Sequence, residues 1–315
     1  MVAILLGILM GFGVAIQTVI NTRLRIYVGS PLLASTVSFT VGSVLLALAL
    51  FILGEPIFPE FHRVVASPWW FWIGGLLGAF WISANILVFQ QLGAVQTAIF
   101  PIFGQVVMGV LIDHFGLFNV VAKPVTIIQL LGVVLVLAGI MIAVAWQSIR
   151  QVLFPQERIS FIDESPTMAA WWWRLFALMG GAMIASQSAI NTQLSHLLQS
   201  SVQASFISFF VGMGALMLIL LIKERQVRGL KQAIGKPWWI WMGGVLGAGF
   251  VVMSVILVPW IGVGQMLVLL LLGLLLGSLC IDGFGWFGVA RKPIRASQWV
   301  GMSILVLGVL FIRLT

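Results

Sequence analysis

Amide and hydroxyl side chains stand at helical spacing inside long apolar runs, where an unpaired polar group is costly. Gln17 and Asn21 are four residues apart and share one helix face; Gln187 and Asn191 repeat that spacing. Ser35 and Ser38 define a second face, repeated by Ser205 and Ser208. Asn85, Gln96 and Gln105 fall in or near a later pair of runs, where Gln96 has a counterpart in Gln265 and Gln105 has none. Converging from several helices, such groups can line a path for a neutral or zwitterionic solute. They can equally hydrogen-bond one helix to another and hold a bundle together. Both readings stand for Gln17, Asn21, Ser38, Asn85, Gln105, Gln187, Asn191 and Ser208.

Asp113 and Asp282 are the recurring acids. Each ends an apolar run, with Phe115-Gly116 and Phe284-Gly285 two positions on. Turn formation fits that placement, and a carboxylate opposing a helix dipole then needs a local partner. Proton or cation coupling is the alternative role. Carboxylates are not expected at span centres, which argues against a lipophilic cation as cargo.

Other chemistry is poorly supplied. His62, His114 and His196 are scattered, and Cys280 is the single cysteine, so neither a metal cluster nor an internal disulfide is expected. No phosphate-binding glycine loop is present. We expect no catalytic residues, no cofactor and no metal, hence not an enzyme. A saturable carrier, a channel and a non-transporting scaffold remain as function classes. The net charge of +8 lies in short segments between apolar runs, which points to membrane lipid and topology rather than nucleic acid.

The elements that must position these groups are helices in lipid. Of 315 residues, 61% are hydrophobic and 8% charged, too few charges to cover a soluble surface. Continuous apolar runs without alternation favour helices over barrel strands. Ten spans are expected, at roughly 2–22, 31–53, 69–90, 94–112, 126–147, 173–192, 201–222, 237–258, 262–281 and 297–314. The first is read as a retained span, since no basic residue precedes it. The stretch 150–172, with Arg150, Pro155, Glu157, Arg158, Asp163, Glu164 and Pro166, reads as an aqueous linker. Trp81 and Phe100 are expected in packing more than in a binding wall. Gly7/Gly11, Gly74/Gly78, Gly243/Gly247 and Gly273/Gly277 carry the spacing that lets helices approach closely. Lys123-Pro124 and Lys292-Pro293 look like helix starts.

A repeat runs through the chain. Gln17, Ile20-Asn21-Thr22 and Leu24 recur as Gln187, Ile190-Asn191-Thr192 and Leu194. Ser38-Phe39 and Val41-Gly42 recur as Ser208-Phe209 and Val211-Gly212. Pro68-Trp69-Trp70 and Gly74-Gly75 recur as Pro237-Trp238-Trp239 and Gly243-Gly244. Ile112-Asp113 recurs as Ile281-Asp282. This divides the chain into a first five-helix repeat (1–149), the linker (150–172) and a second repeat (173–315). An odd number of spans per copy forces the second copy to enter the membrane inverted, an arrangement typical of secondary transporters. Loops after odd-numbered spans hold most of the Lys and Arg, those after spans 7 and 9 above all. The positive-inside rule therefore puts both termini on the non-cytoplasmic side.

Taken together, Gln17…Ile20-Asn21, Ser30-Pro31-Leu32-Leu33-Ala34-Ser35, Phe39 with Gly42, Gly74-Gly75…Gly78, Gly104-Gln105 and Ile112-Asp113-His114-Phe115-Gly116 resemble the YdcZ-type inner-membrane exporters of the drug/metabolite transporter superfamily. The resemblance covers both halves and is similar to a two-copy fused form. It implies a bacterial inner membrane location and export of a small molecule, by a monomer or a homodimer. The second copy departs from the pattern, with Gly273-Leu274 for Gly104-Gln105, as does the first, with Gln90 for Pro259. The two halves are therefore chemically unequal.

Overall fold

The computed structural model describes residues 2–153, 168–223, 229–291 and 293–313. Among them the chain is helical, with short 3-10 turns and no strand. The long helices are α1 (Val2–Val28), α2 (Pro31–Leu53), α4 (Gly74–Phe115), α5 (Ile127–Leu153), α6 (Met168–Leu198), α7 (Ser201–Lys223), α9 (Gly243–Ile261), α10 (Val263–Phe284) and α11 (Ala296–Arg313). Two short helices, α3 (Phe61–Ala66) and α8 (Gly229–Ala233), precede twin 3-10 turns at Trp69–Trp72 and Trp238–Trp241. Six helices combine the length and apolarity to cross a membrane: α1, α2, the first part of α5 (Ile127–Val144), α7, α9 and α10. Ile99–Phe115 and Ala296–Ile312 are shorter apolar segments. Large apolar side chains such as Leu9, Phe51, Ile52, Ile127 and Leu221 face outward, as lipid contact requires and water would not favour.

Local chemistry sets the helix ends. The Ser30 hydroxyl accepts from the Leu33 N–H and the Ser200 hydroxyl from the Gln203 N–H, twin N-caps for α2 and α7. Pro124 and Pro293 do not open helices, contrary to what was expected of the Lys-Pro pairs; Lys292 lies outside the described residues. Helix α5 begins three residues after Pro124, where Thr126 and Gln129 bond reciprocally, side chain to backbone, in a capping box. At α11 the Gln298 side chain likewise accepts from the Arg295 N–H. These caps satisfy N–H groups that proline alone leaves orphaned.

The two halves pack through crossings that occur in pairs. Gly132 lies against the Gly308 carbonyl and Gly139 against that of Gly301, each glycine returning the contact, so α5 and α11 run antiparallel. Gly42 faces the Phe209 ring and Gly212 the Phe39 ring, so α2 and α7 are antiparallel too. Carbonyls of Ser38 and Ser208 lie against Gly244 and Gly75, and those of Ile8 and Leu178 against Gly273 and Gly104. Lipid offers no hydrophobic incentive for helices to associate, so close backbone approach over glycine supplies the attraction.

Helix α4 covers most of both spans expected at 69–90 and 94–112. A straight helix from 81 to 101 would hold its ends about 30 Å apart. Trp81 nevertheless packs on Gly180 and Pro101 on Gly181, neighbours on α6. The helix therefore turns back between Trp81 and Pro101. Its counterpart reverses at Gly262, whose φ of +88° suits only glycine, between α9 and α10. Helix α1 lies against both arms. Asn21 and Gln17 meet Gly243 and Gly247, while Ile8 and Ala15 meet Gly273 and Gly277.

Candidate functional site

The recurring amides sit where the halves cross. The Ser38 hydroxyl donates to Asn21 Oδ1 at 2.7 Å, tying α2 to α1, and Asn191 Nδ2 donates to Ser208 Oγ at 3.0 Å, tying α7 to α6. Each Asn also covers a glycine of the opposite half, Asn21 on Gly243 and Asn191 on Gly74, with no room for a Cβ. One turn away, Gln17 covers Gly247 and Gln187 covers Gly78, where an added Cβ would lie 2.6 Å from the amide. The Asn21, Asn191 and Gln187 side-chain oxygens so placed over glycine accept weak Cα–H contacts, whereas Gln17 turns its Nε2 to Gly247. Asn191 Oδ1 is buried without a conventional donor.

Asn21 thus lies with Ser38 and Asn191 with Ser208, and Gln17 and Gln187 lie one turn away on the same helices. The structure joins them in two equivalent clusters, one per crossing, rather than one continuous path. Ser35 and Ser205 bond back to Pro31 and Ser201 carbonyls in their own helices. Gln105 is half-buried on α4 with no hydrogen bond among the described residues. The Asn85 side chain lies outside the described residues. Gln96 accepts from Arg174 Nε at 2.9 Å, and Trp81 is buried against Gly180.

Asp113 has a local partner in Lys123, which lines the same cavity and whose N–H donates to the Asp113 carbonyl, and a distant one besides. Its two carboxylate oxygens accept the backbone N–H groups of Val263 (2.8 Å) and Gly264 (2.7 Å), the first residues of α10 in the other half. Gly262 has no side chain of its own to cap the helix, so the neighbouring carboxylate takes that place. Asp113 is 7% exposed. Its twin Asp282 is half-buried and has neither hydrogen bond nor ion pair among the described residues.

Each aspartate lines a cavity, and the two cavities are built from equivalent positions. Around Asp113 lie Val110, Val125, Gln129, Gly264 and Ile312, enclosing about 50 Å³. Around Asp282 lie Leu279, Ile294, Gln298 and Ala143, with Ser278 and Arg295, enclosing about 580 Å³. Val110, Asp113, Val125, Gln129 and Ile312 are the repeat counterparts of Leu279, Asp282, Ile294, Gln298 and Ala143. The first cavity is small and the second would hold a metabolite-sized molecule. The sequence reading passed over Gln129 and Gln298, although both recur at the repeat spacing; that recurrence was the available signal.

Apolar helices with outward-facing apolar side chains, whose halves cross through paired glycine contacts, define a membrane-embedded helical bundle. The family model described as "Putative inner membrane exporter, YdcZ" matches residues 2–142 and again 172–311, and the chain belongs to that family. The Inner membrane protein YdcZ of Escherichia coli (strain K12) is 30% identical over 106 residues, which cover 33% of this chain and 70% of that relative. A solved crystal structure aligns over 98% of this chain and 96% of its own with a TM-score of 0.64 at 15% identity, a likeness of fold.

Proposed function

We propose that the chain is a secondary transporter that exports a small molecule across the bacterial inner membrane by alternating access. In this reading ten spans form two inverted five-helix repeats, 1–149 and 173–315, joined by 150–172. Spans 3 and 4 are the two arms of α4. Both termini lie on the non-cytoplasmic side in this reading, which the distribution of Lys and Arg supports. The antiparallel crossings of α2 with α7 and of α5 with α11 support the inversion.

The observation that carries the reading is the inequality of the two equivalent cavities, about 580 Å³ against about 50 Å³. Inverted repeats in unequal conformations expose one side of a membrane at a time, and exchanging the conformations exposes the other. Gln17, Gln187 and Gln105 supply amides that a passing solute can meet. Asn21 with Ser38 and Asn191 with Ser208 set the helix positions around them. Asp113 and Asp282 mark the two ends.

Reconstitution into proteoliposomes, with a panel of small metabolites tested with and without a pH gradient, checks the reading. Saturable, gradient-dependent flux of at least one solute is expected. Flux that never saturates would indicate a channel, and no flux of any solute a scaffold.

A further inference from the structure

Cys280, the chain's single cysteine, lines a groove that the transport reading leaves unused. The groove lies between the end of α10 and the start of α11 and encloses about 600 Å³. Leu276, Leu279, Cys280 and Phe284 of α10 form one wall, and Trp299 and Met302 of α11 the other. From Leu276 to Phe284 the helix rises about 12 Å. That is most of one leaflet of a hydrocarbon core about 30 Å thick. Phe284 and Trp299 are exposed, so the groove opens to the outside of the bundle. An apolar trough that opens outward between membrane helices takes a lipid chain more readily than water.

The polar end identifies the lipid. Arg291 is the charged side chain among the described residues that line the groove. Its Nε–H donates to the carbonyl of Phe284, the last residue of α10, at 3.1 Å. That bond fixes the guanidinium at the groove's outer end and uses one of its five N–H donors. The Nη groups are unbonded among the described residues. A guanidinium can grip a phosphate with two such bonds at once. Trp299 shares the groove, and indole favours the level of the headgroups. No carboxylate among the described residues lines the groove to receive the ammonium of a zwitterionic headgroup.

The first half does not carry the same groove residues. At the repeat spacing, Leu111 and His114 stand for Cys280 and Gly283, Ala122 for Arg291 and Leu130 for Trp299. The small residues that open the groove and the cation at its end therefore occur together, in one half only. A requirement of the fold would recur in both copies, whereas a ligand site need not. In the orientation proposed above this end faces the cytoplasm, and anionic lipids of that leaflet attract basic groups.

We propose that the groove between α10 and α11 is a binding site for an anionic phospholipid, with an acyl chain along Leu276, Cys280 and Met302 and the phosphate on Arg291. The site adjoins the Asp282 cavity across Leu279 and Ile294. It stands whether or not the chain carries a solute.

Cys280 reports occupancy of the groove. The full chain is reconstituted in vesicles of phosphatidylcholine, alone or with increasing phosphatidylglycerol of the same acyl chains. The rate of Cys280 alkylation by uncharged N-ethylmaleimide is then measured. Phosphatidylglycerol should slow alkylation several-fold. Arg291→Gln should raise the phosphatidylglycerol needed for half of that protection about tenfold, on the scale of one lost charged hydrogen bond. Arg25→Gln, at an exposed position in the last turn of α1, should leave the protection unchanged. Glycerol 3-phosphate added to phosphatidylcholine vesicles should not protect.

Equal rates with and without phosphatidylglycerol overturn the site, and slow alkylation in both lipids would point to a second copy of the chain on the groove. Equal protection in Arg291→Gln, or protection lost equally in Arg25→Gln, overturns it in favour of diffuse surface charge. Protection by glycerol 3-phosphate overturns it in favour of a soluble phosphate. Where Arg291→Gln fails to fold, Gly283→Leu decides. An added Cβ at Gly283 meets Ile294 at 3.7 Å, an ordinary contact, so the larger side chain can enter the groove. Native mass spectrometry should find phosphatidylglycerol retained by the parent and lost from Gly283→Leu; equal retention by both overturns the site.

Discussion

Phe39 and Phe209 stack face to face across the two halves, ring centroids 4.8 Å apart, and each ring fills the space over the other's glycine, Gly212 and Gly42. They are the same residue of the repeat, meeting near the pseudo-symmetry axis of the bundle. The pair explains why glycine stands three positions after each Phe. Gly42→Ala or Gly212→Ala should push the rings apart and cost about 1–3 kcal/mol of stability, measured by denaturant unfolding in detergent. Gly214→Ala and Gly249→Ala, at positions with open space, should cost little.

The Asn-Ser bonds make a separate, smaller contribution. Polar contacts between membrane helices average about 0.6 kcal/mol, because the separated helices find other partners in the membrane. A double-mutant cycle of Asn191→Ala with Ser208→Ala should return a coupling of that size, and Asn21→Ala with Ser38→Ala should match it. A coupling near zero in both would remove the helix-tying role.

Gln17 and Gln187 make no hydrogen bond among the described residues. Gln187→Ala should therefore leave the unfolding midpoint nearly unchanged while altering the solute flux found in proteoliposomes. Loss of stability with unchanged flux would return Gln187 to a packing role.

Gly262 reverses the chain with φ +88° and touches the Asp113 carboxylate. A side chain there is strained and crowded at once. Gly262→Ala should cost about 1–3 kcal/mol and displace Asp113 from the Val263 and Gly264 amides. Gly29→Ala, also at positive φ but in open space, should pay only the conformational part.

Much of this arrangement was legible in the residues. Apolar runs placed the helices, and the recurrence of Gln17 and Asn21 as Gln187 and Asn191 located the two crossings. Small-residue spacing at Gly74/Gly78 and Gly243/Gly247 marked where those crossings close. The Lys-Pro pairs misled, because a proline compatible with a first turn is equally compatible with the extended segment before one. The distant partner of Asp113 was hidden, since capping by a residue some 150 positions away leaves no local pattern. The inequality of the two cavities was hidden for a deeper reason. A repeat constrains both halves alike, so it carries no sign of a difference in volume between equivalent cavities.

The central claim is that two copies of one unit cross the membrane in opposite senses. Val121 and Ala290 are repeat counterparts in exposed loops. In a Cys280→Ser background, Val121→Cys and Ala290→Cys should react with an impermeant maleimide from opposite sides of sealed vesicles, Ala290→Cys from the cytoplasmic side. Reaction of both from the same side would contradict the account.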